Sequence, residues 1–450
     1  MILQPPRYDD SFGEIEQILG PDRAFKIACH GKLWRDLVRL TRLRSVGARR
    51  DRVTTTVALH PKILILSLPH GAAHQRAACS LEKAFLNLRP GSTVEVIDTL
   101  QFCSGWFRAY YNSYLIPLAI WPGLWRWIES KQHKAESTNP GWLYRRGAQP
   151  LFRHLRDFAP DVVIATEVGT CELAAMYKRE SKANFLLVGL ELMDFNRGWI
   201  RPEVDLYLTT HVDLAAELVA EGAPAAKVVT TGQPIDPLFA SLPDRRAVRA
   251  KLGIRQDVAQ LLILLGGNGN GRPENILAEV AKVKRPHEIT LITGRNPRLH
   301  QRLSERTKDL PHVRLLGWVD NIQEWMTASD LMVSKPGGGT LNEAFACGLP
   351  MLAFDPLPGN EERICRWIQK WEAGTWIERA DDLAPKIDSL LADPAQLATL
   401  RQKAHALARP YAARDGALAV LDLLSHKLRP SAAHGGGRPS SLRPEAWQLP

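Results

Sequence analysis

The sequence predicts an α/β protein built from two Rossmann-like doubly wound parallel-sheet domains that face each other across a cleft. Three observations carry this. Short unbroken apolar runs alternate with longer helical patterns from Lys62 onward, the runs fall into two series, and the proline- and charge-rich stretch from Pro234 to Arg246 separates the series. Unbroken apolar strands alternating with helices are the mark of parallel sheets covered on both faces. Ligands of such sheets bind outside the carboxyl ends of the strands, so function is sought in the loops that follow them.

The first series comprises KILILSL from Lys62, VEVID from Val94, DVVIAT from Asp161, FLLVGL from Phe185, DLYLTT from Asp205 and KVVTTG from Lys227. The second comprises LLILLGG from Leu261, EITLITG from Glu288, VRLLGWV from Val313, DLMVSK from Asp330 and PMLAFD from Pro350. The expected organisation is a basic extension over 1–58, a first domain over 59–236, a second over 237–427 and a disordered tail over 428–450. The extension holds ten Lys or Arg between residues 23 and 52, against Asp36 and Asp51 alone. Leu33, Leu37 and Leu40 share one helical face there, flanked by Lys32, Arg35, Arg39 and Arg42. Such a helix suits an anionic lipid surface or a solvated position on the first domain. The tail has too little apolar content to fold.

Across 450 residues, 58 Lys and Arg exceed 48 Asp and Glu, a net charge of +10 that favours phosphate-bearing partners: nucleotide, anionic lipid or nucleic acid. The six cysteines have no close pair and no metal-site spacing, and are expected to be reduced thiols in a cytosolic protein. No secretory leader pattern and no apolar run long enough to span a bilayer is present, so any membrane contact is expected to be peripheral.

The richest segment is SKPGGGTLNEAFACGLP, Ser334 to Pro350. Gly337, Gly338 and Gly339 stand between a strand and a helix expected to begin near Thr340, and a glycine loop at a helix start suits a diphosphate. Glu343, one turn on, is placed to accept both hydroxyls of a ribose. Thr340 and Glu343 also have the spacing of a capping box. A second glycine loop, LLGGNGNGRP, brings Gly267, Asn268 and Gly269 to the end of the domain's first strand. It resembles a dinucleotide fingerprint, but the acidic residue expected after the next strand is replaced by Arg295, which argues against NAD. A third loop, FDPLPGNEERICRW, offers Asn360, Glu361 and Glu362 as acceptors for sugar hydroxyls, or as a surface helix start. Adjacent carboxylates do not flank one bond as a glycoside hydrolase requires.

These three loops, in this order, resemble the donor domain of the glycosyltransferase family that contains monogalactosyldiacylglycerol synthase, the processive diacylglycerol glucosyltransferases and the peptidoglycan lipid N-acetylglucosaminyltransferase. The diacylglycerol branch is the closer match, over about residues 60 to 425. SLPHGAAHQRAA from Ser67 resembles its first glycine loop, GQPIDPLF from Gly232 its domain linker, and KPGGGTLNEAFACGLPML with PLPGNEE its donor signature. The resemblance implies the two-domain GT-B fold, a UDP-sugar donor and inverting transfer without a tightly held metal. No cofactor is implied beyond the donor. No strand of the sequence ends in the D-x-D pair that metal-dependent transferases use.

By the same resemblance, Trp318 and Val319 hold uracil through backbone contacts, Glu343 binds ribose, Gly337 to Thr340 with the 267–271 loop stabilise the diphosphate, and Lys335 belongs to the donor-binding set. Inverting transfer needs a base for the acceptor hydroxyl. His74 matches the histidine of the family's first loop and is the first candidate; Asp194 is second, as base or as partner to His74, and Glu167 ends the neighbouring strand where relatives carry histidine. Three departures stand out: G-A-A-H replaces a glycine run, Gln233 enters the linker, and Arg363 and Ile364 replace the family's Gly and Asn, so the hexose is not carried over.

Nine aromatics lie between Phe102 and Trp127, with Arg108 and Arg126 among them. Of these, Trp106, Tyr110, Tyr114, Trp121, Trp125 and Trp127 are the candidate membrane and acceptor contacts, since Trp and Tyr favour the headgroup layer. An aromatic helix pair packed on the first domain is the plainer reading. The expected partners are therefore a UDP-sugar, a lipid acceptor and an anionic membrane surface, with no recognised nucleic-acid module. A UDP-sugar epimerase of the same fold, or a silent UDP-sugar-binding relative, is the alternative.

Overall fold

A computed structural model describes residues 60–68, 72–113, 141–193, 196–265, 273–357 and 359–428. It contains two six-stranded parallel sheets. The first joins β1 (Lys62–Ser67), β2 (Thr93–Asp98), β3 (Val162–Ala165), β4 (Leu186–Leu190), β5 (Leu206–Thr209) and β6 (Val228–Thr230) in the order β2-β1-β3-β4-β5-β6. The second joins β7 (Ala259–Leu264), β8 (His287–Ile292), β9 (Val313–Leu316), β10 (Leu331–Ser334), β11 (Met351–Phe354) and β12 (Gly374–Ile377) in the order β12-β11-β10-β7-β8-β9.

Side chains alternate across a strand, so an apolar run feeds two cores at once. In β1, Leu64 and Leu66 join one core with Val163, Ala165 and Leu187. Ile63 and Ile65 join the opposite core with Val162, Ile164 and Val188. The second sheet repeats the scheme, with Leu262, Leu264, Met332 and Met351 on one face and Leu261, Ile263, Val333 and Leu352 on the other.

All eleven predicted runs are strands. The twelfth, β12, was not predicted: GTWI is an edge strand with only Ile377 buried, so no unbroken apolar run announces it. The last described helix, Ala412–Leu428, returns to the first sheet, where Ala413, Ala417, Val420 and Leu424 form its buried stripe against the face that also holds Leu81 and Phe85. The returning chain crosses the linker closely. A Cβ at Gly232, which sits at φ +94°, would lie 2.4 Å from Cβ of Arg409, so both conformation and space demand glycine.

Candidate active site

In each sheet the chain leaves in opposite directions from two neighbouring strands, β1 and β3 in the first, β7 and β10 in the second. The crevices outside these switch points are where open α/β sheets bind ligands. The candidate residues fall there. His74 lies in the first turn of helix Ala72–Leu88, after β1; Glu167 follows β3; and Lys335 to Thr340 follow β10.

The half-buried His74 has its Nδ1 2.6 Å from the carbonyl oxygen of Thr166. A carbonyl only accepts, so Nδ1 carries the ring proton, and in the neutral imidazole Nε2 is the nitrogen able to take one up. Glu167 has a different occupation. It N-caps helix Val168–Ser181, with Oε2 accepting from the Thr170 N–H at 3.0 Å and Oε1 from the Tyr111 hydroxyl at 3.1 Å. Burial pushes its carboxyl above the usual range, against the hydrogen bonds that favour the charged form. Asp194 lies outside the described residues, as do Gly267, Asn268 and Gly269.

After β10, Gly337 is an extended N-cap, and the helix runs Gly338–Ala346 rather than starting near Thr340. Thr340 is thus the third helical residue and does not cap with Glu343. Space demands glycine at 338, whereas 339 has room for a methyl group. A Cβ on Gly338 would stand 3.0 Å from the Gln233 amide and 3.3 Å from Met193, and one on Gly339 would stand 3.9 Å from Ala73 of the facing helix. At Gly337 it would meet nothing within 4 Å, so the extended residue looks into open space. Gln233, buried in the linker, spans the first turn: its amide oxygen accepts from the Gly339 N–H at 3.1 Å and its nitrogen donates to the Gly338 carbonyl at 3.3 Å. Glu343 is 3% exposed and ion-paired with Arg76, two residues beyond His74 on the opposite helix. Sequence reasoning missed Arg76 and noted Gln233 only as a departure.

The third loop divides its work. Gly359 precedes helix Asn360–Lys370, and Glu362 accepts from the Gly359 N–H at 3.3 Å, a helix-start role. Glu361 accepts from the Leu357 N–H at 2.6 Å and faces Lys335 at 3.7 Å; burial raises its carboxyl, against the pull of Lys335. The Asn360 side-chain oxygen is buried with no hydrogen-bond partner among the described residues, an acceptor held ready for a donor. Trp318 is exposed, its ring covered by the Arg295 guanidinium at 4.0 Å and its Nε1 donating to Asp320, while Val319 packs into the second core.

The two halves touch beyond the cleft. The Trp371 indole N–H donates to Asp213 at 2.8 Å, Lys370 pairs with the same carboxylate at 3.0 Å, and Arg363 pairs with Glu217. The ring of His211 lies 4.2 Å from Trp371, and burial pulls its imidazole below its ordinary range. The departure at Arg363 thus joins the two sheets' helices.

A family model described as monogalactosyldiacylglycerol (MGDG) synthase matches residues 74–235, from His74 to the linker that carries Gln233. A second, described as glycosyl transferases group 1, matches residues 262–393. The chain is a glycosyltransferase whose first domain matches the monogalactosyldiacylglycerol synthase family. The processive diacylglycerol beta-glucosyltransferase of Bacillus pumilus is 28% identical to this transferase over 361 residues, covering 77% of this chain and 91% of the relative. That of Bacillus cytotoxicus is 26% identical over 366 residues, covering 78% and 91%. Among solved structures, MurG of Acinetobacter baumannii aligns with a TM-score of 0.55 at 13% identity, over 80% of this chain and 99% of that one. A putative UDP-N-acetylglucosamine 2-epimerase of Listeria monocytogenes aligns with a TM-score of 0.55 at 16% identity, over 82% and 97%. These two show the GT-B fold of the transferase and nothing finer.

After β2, helix Gly105–Asn112 sorts its aromatics by face. Phe107 is buried against Tyr144, and Tyr111 reaches Glu167, while Trp106 and Tyr110, four apart on the other face, are 48% and 43% exposed. Helix Gly141–Gly147 adds Trp142, 60% exposed, and Arg145 and Arg146; with Trp106 and Gln149 they line an open groove. The described part of the aromatic segment is therefore partly core and partly surface. Tyr114, Trp121, Trp125 and Trp127 lie outside the described residues. Trp142 was missed because it stands apart from the dense run. No described helix is long and apolar enough to cross a membrane.

Proposed function

We propose that the chain transfers a hexose from a UDP-sugar to a diacylglycerol-type lipid, with inversion, without a tightly held metal, from a peripheral position on the cytoplasmic membrane surface. The observation that carries the reading is His74, fixed by the Thr166 carbonyl on a helix whose start faces the Gly337–Thr340 turn. In the step, the acceptor oxygen bonds to the anomeric carbon while the carbon–oxygen bond to the diphosphate breaks, its electron pair leaving with UDP. The acceptor proton passes to Nε2 of His74. Attack opposite the leaving group inverts the centre.

The dipole of the 338–346 helix start would stabilise the departing diphosphate. Glu343 is the ribose acceptor, Asn360 addresses the sugar, and the backbone at Trp318 and Val319 addresses uracil. Asp194 stands as the partner of His74. The lipid acceptor is supported by the relatives' activity, and the membrane surface by Trp106, Tyr110 and Trp142 beside Arg145 and Arg146.

The test is UDP release from UDP-glucose, UDP-galactose and UDP-N-acetylglucosamine, each with and without diacylglycerol in anionic vesicles, repeated in EDTA. Lipid-dependent release with one donor, unchanged by EDTA, is expected. Lipid-independent conversion of the donor would instead mean an epimerase. The surface makes its own prediction: Trp106→Ala with Trp142→Ala should weaken sedimentation with anionic vesicles roughly tenfold or more, from about 1.5–3 kcal/mol per large apolar side chain withdrawn from contact. UDP affinity measured without vesicles should stay unchanged.

A further inference from the structure

Glu343 presents a problem of charge. It is buried at 3% exposure, and a buried carboxylate is stable only with a partner. Its partner is Arg76, whose own side chain is 43% exposed, so a fixed acid is held by a cation with room to move. A nucleotide ribose cannot take both Glu343 oxygens while the guanidinium occupies one. The geometry also shows where the guanidinium would go. Ala73 faces Gly339, and Arg76 faces Glu343, each pair about one helical turn along from the other. A retreat of about one turn, ~5.4 Å, brings Arg76 from the acid to the paired helix starts. There the positive ends of two helices already favour an anion. Lys335, the cation at the end of β10, faces Glu361 instead.

We infer that Arg76 is a donor-sensing residue: it neutralises Glu343 in the empty site, and when the ribose hydroxyls replace it, the guanidinium moves to the diphosphate of the same nucleotide. The inference rests on the UDP-sugar reading. It makes ribose and diphosphate recognition interdependent, because one part of the ligand releases the cation that the other part binds.

The consequence is a pair of opposite changes. In the full-length Arg76→Ala variant, titrated calorimetrically, UDP should bind about tenfold or more weakly, the loss of one charge-assisted phosphate contact. Uridine, which has no phosphate, should bind severalfold more tightly, because Glu343 has no ion pair to surrender. Arg76→Lys keeps the charge and the fold but not the two-nitrogen fork, and should lower the UDP-to-uridine affinity ratio by a smaller factor. Equal weakening of both ligands, or an unchanged ratio in both variants, would overturn the inference and leave Arg76 a packing residue. If wild-type protein binds neither uridine nor UDP, the donor reading itself falls, and the inference with it.

Discussion

Alanine in place of His74 is expected to lower lipid-dependent UDP release by about 10²- to 10⁴-fold, the usual contribution of a positioned general base. UDP affinity should change less than about threefold, since the imidazole addresses the acceptor and not the nucleotide. The expectation rests on one bond. The Thr166 carbonyl holds Nδ1 at 2.6 Å and so commits the ring to the tautomer whose Nε2 takes up a proton. Glutamine at the same position keeps a polar side chain but supplies no base, and should be as inactive as alanine. The companion variant is Glu167→Gln. Both of that carboxylate's oxygens serve the helix cap and Tyr111, so its loss should lower stability more than turnover. If Glu167→Gln were the variant that abolished transfer while His74→Ala retained it, the base would have to be reassigned. If neither variant changed activity because the wild type had none, the chain would be a UDP-sugar-binding protein.

The second large effect is expected at Glu343. Its removal should raise the dissociation constant of UDP by at least about 10²-fold, because hydrogen bonds to a charged group contribute about 1.5–3 kcal/mol each and a ribose offers two. A more telling number is the preference for UDP over 2′-deoxy-UDP. Wild-type protein should prefer UDP, and Glu343→Ala should lose that preference, whereas Arg76→Ala should keep it. This separates a ribose contact from a structural ion pair. If Glu343 only stabilised Arg76, the two alanine variants would melt alike and discriminate sugars alike.

Several features of this site were legible because they are local. A triple glycine after an apolar strand, an acid one turn into the next helix and a histidine after the first described strand all stand close to a strand end, and the alternation that places strand ends needs no knowledge of tertiary structure. The helix start was misplaced for a related reason. Glycine is a poor helix former, so local preference begins the helix at Thr340, yet Gly338 and Gly339 are helical, their turn bonded by the buried Gln233 amide from the linker. Glu362 gave no signal of its own to separate a cap from a sugar contact, and the bond to the Gly359 N–H is what makes the distinction.

The order of strands within each sheet decides which loops meet, and alternation alone does not encode it. Only with β1 beside β3 does His74 reach Thr166, a bond between residues 92 apart in the chain. Only with the two sheets apposed does Arg76 meet Glu343, 267 residues away, and Trp371 meet Asp213. What the amino-acid sequence by itself determined is the unbroken apolar burial that marks eleven of the twelve described strands, and the short-range chemistry of the loops after them. What only the tertiary structure decided is which charged groups neutralise one another across the cleft, because ion pairing depends on distances that chain separation does not constrain.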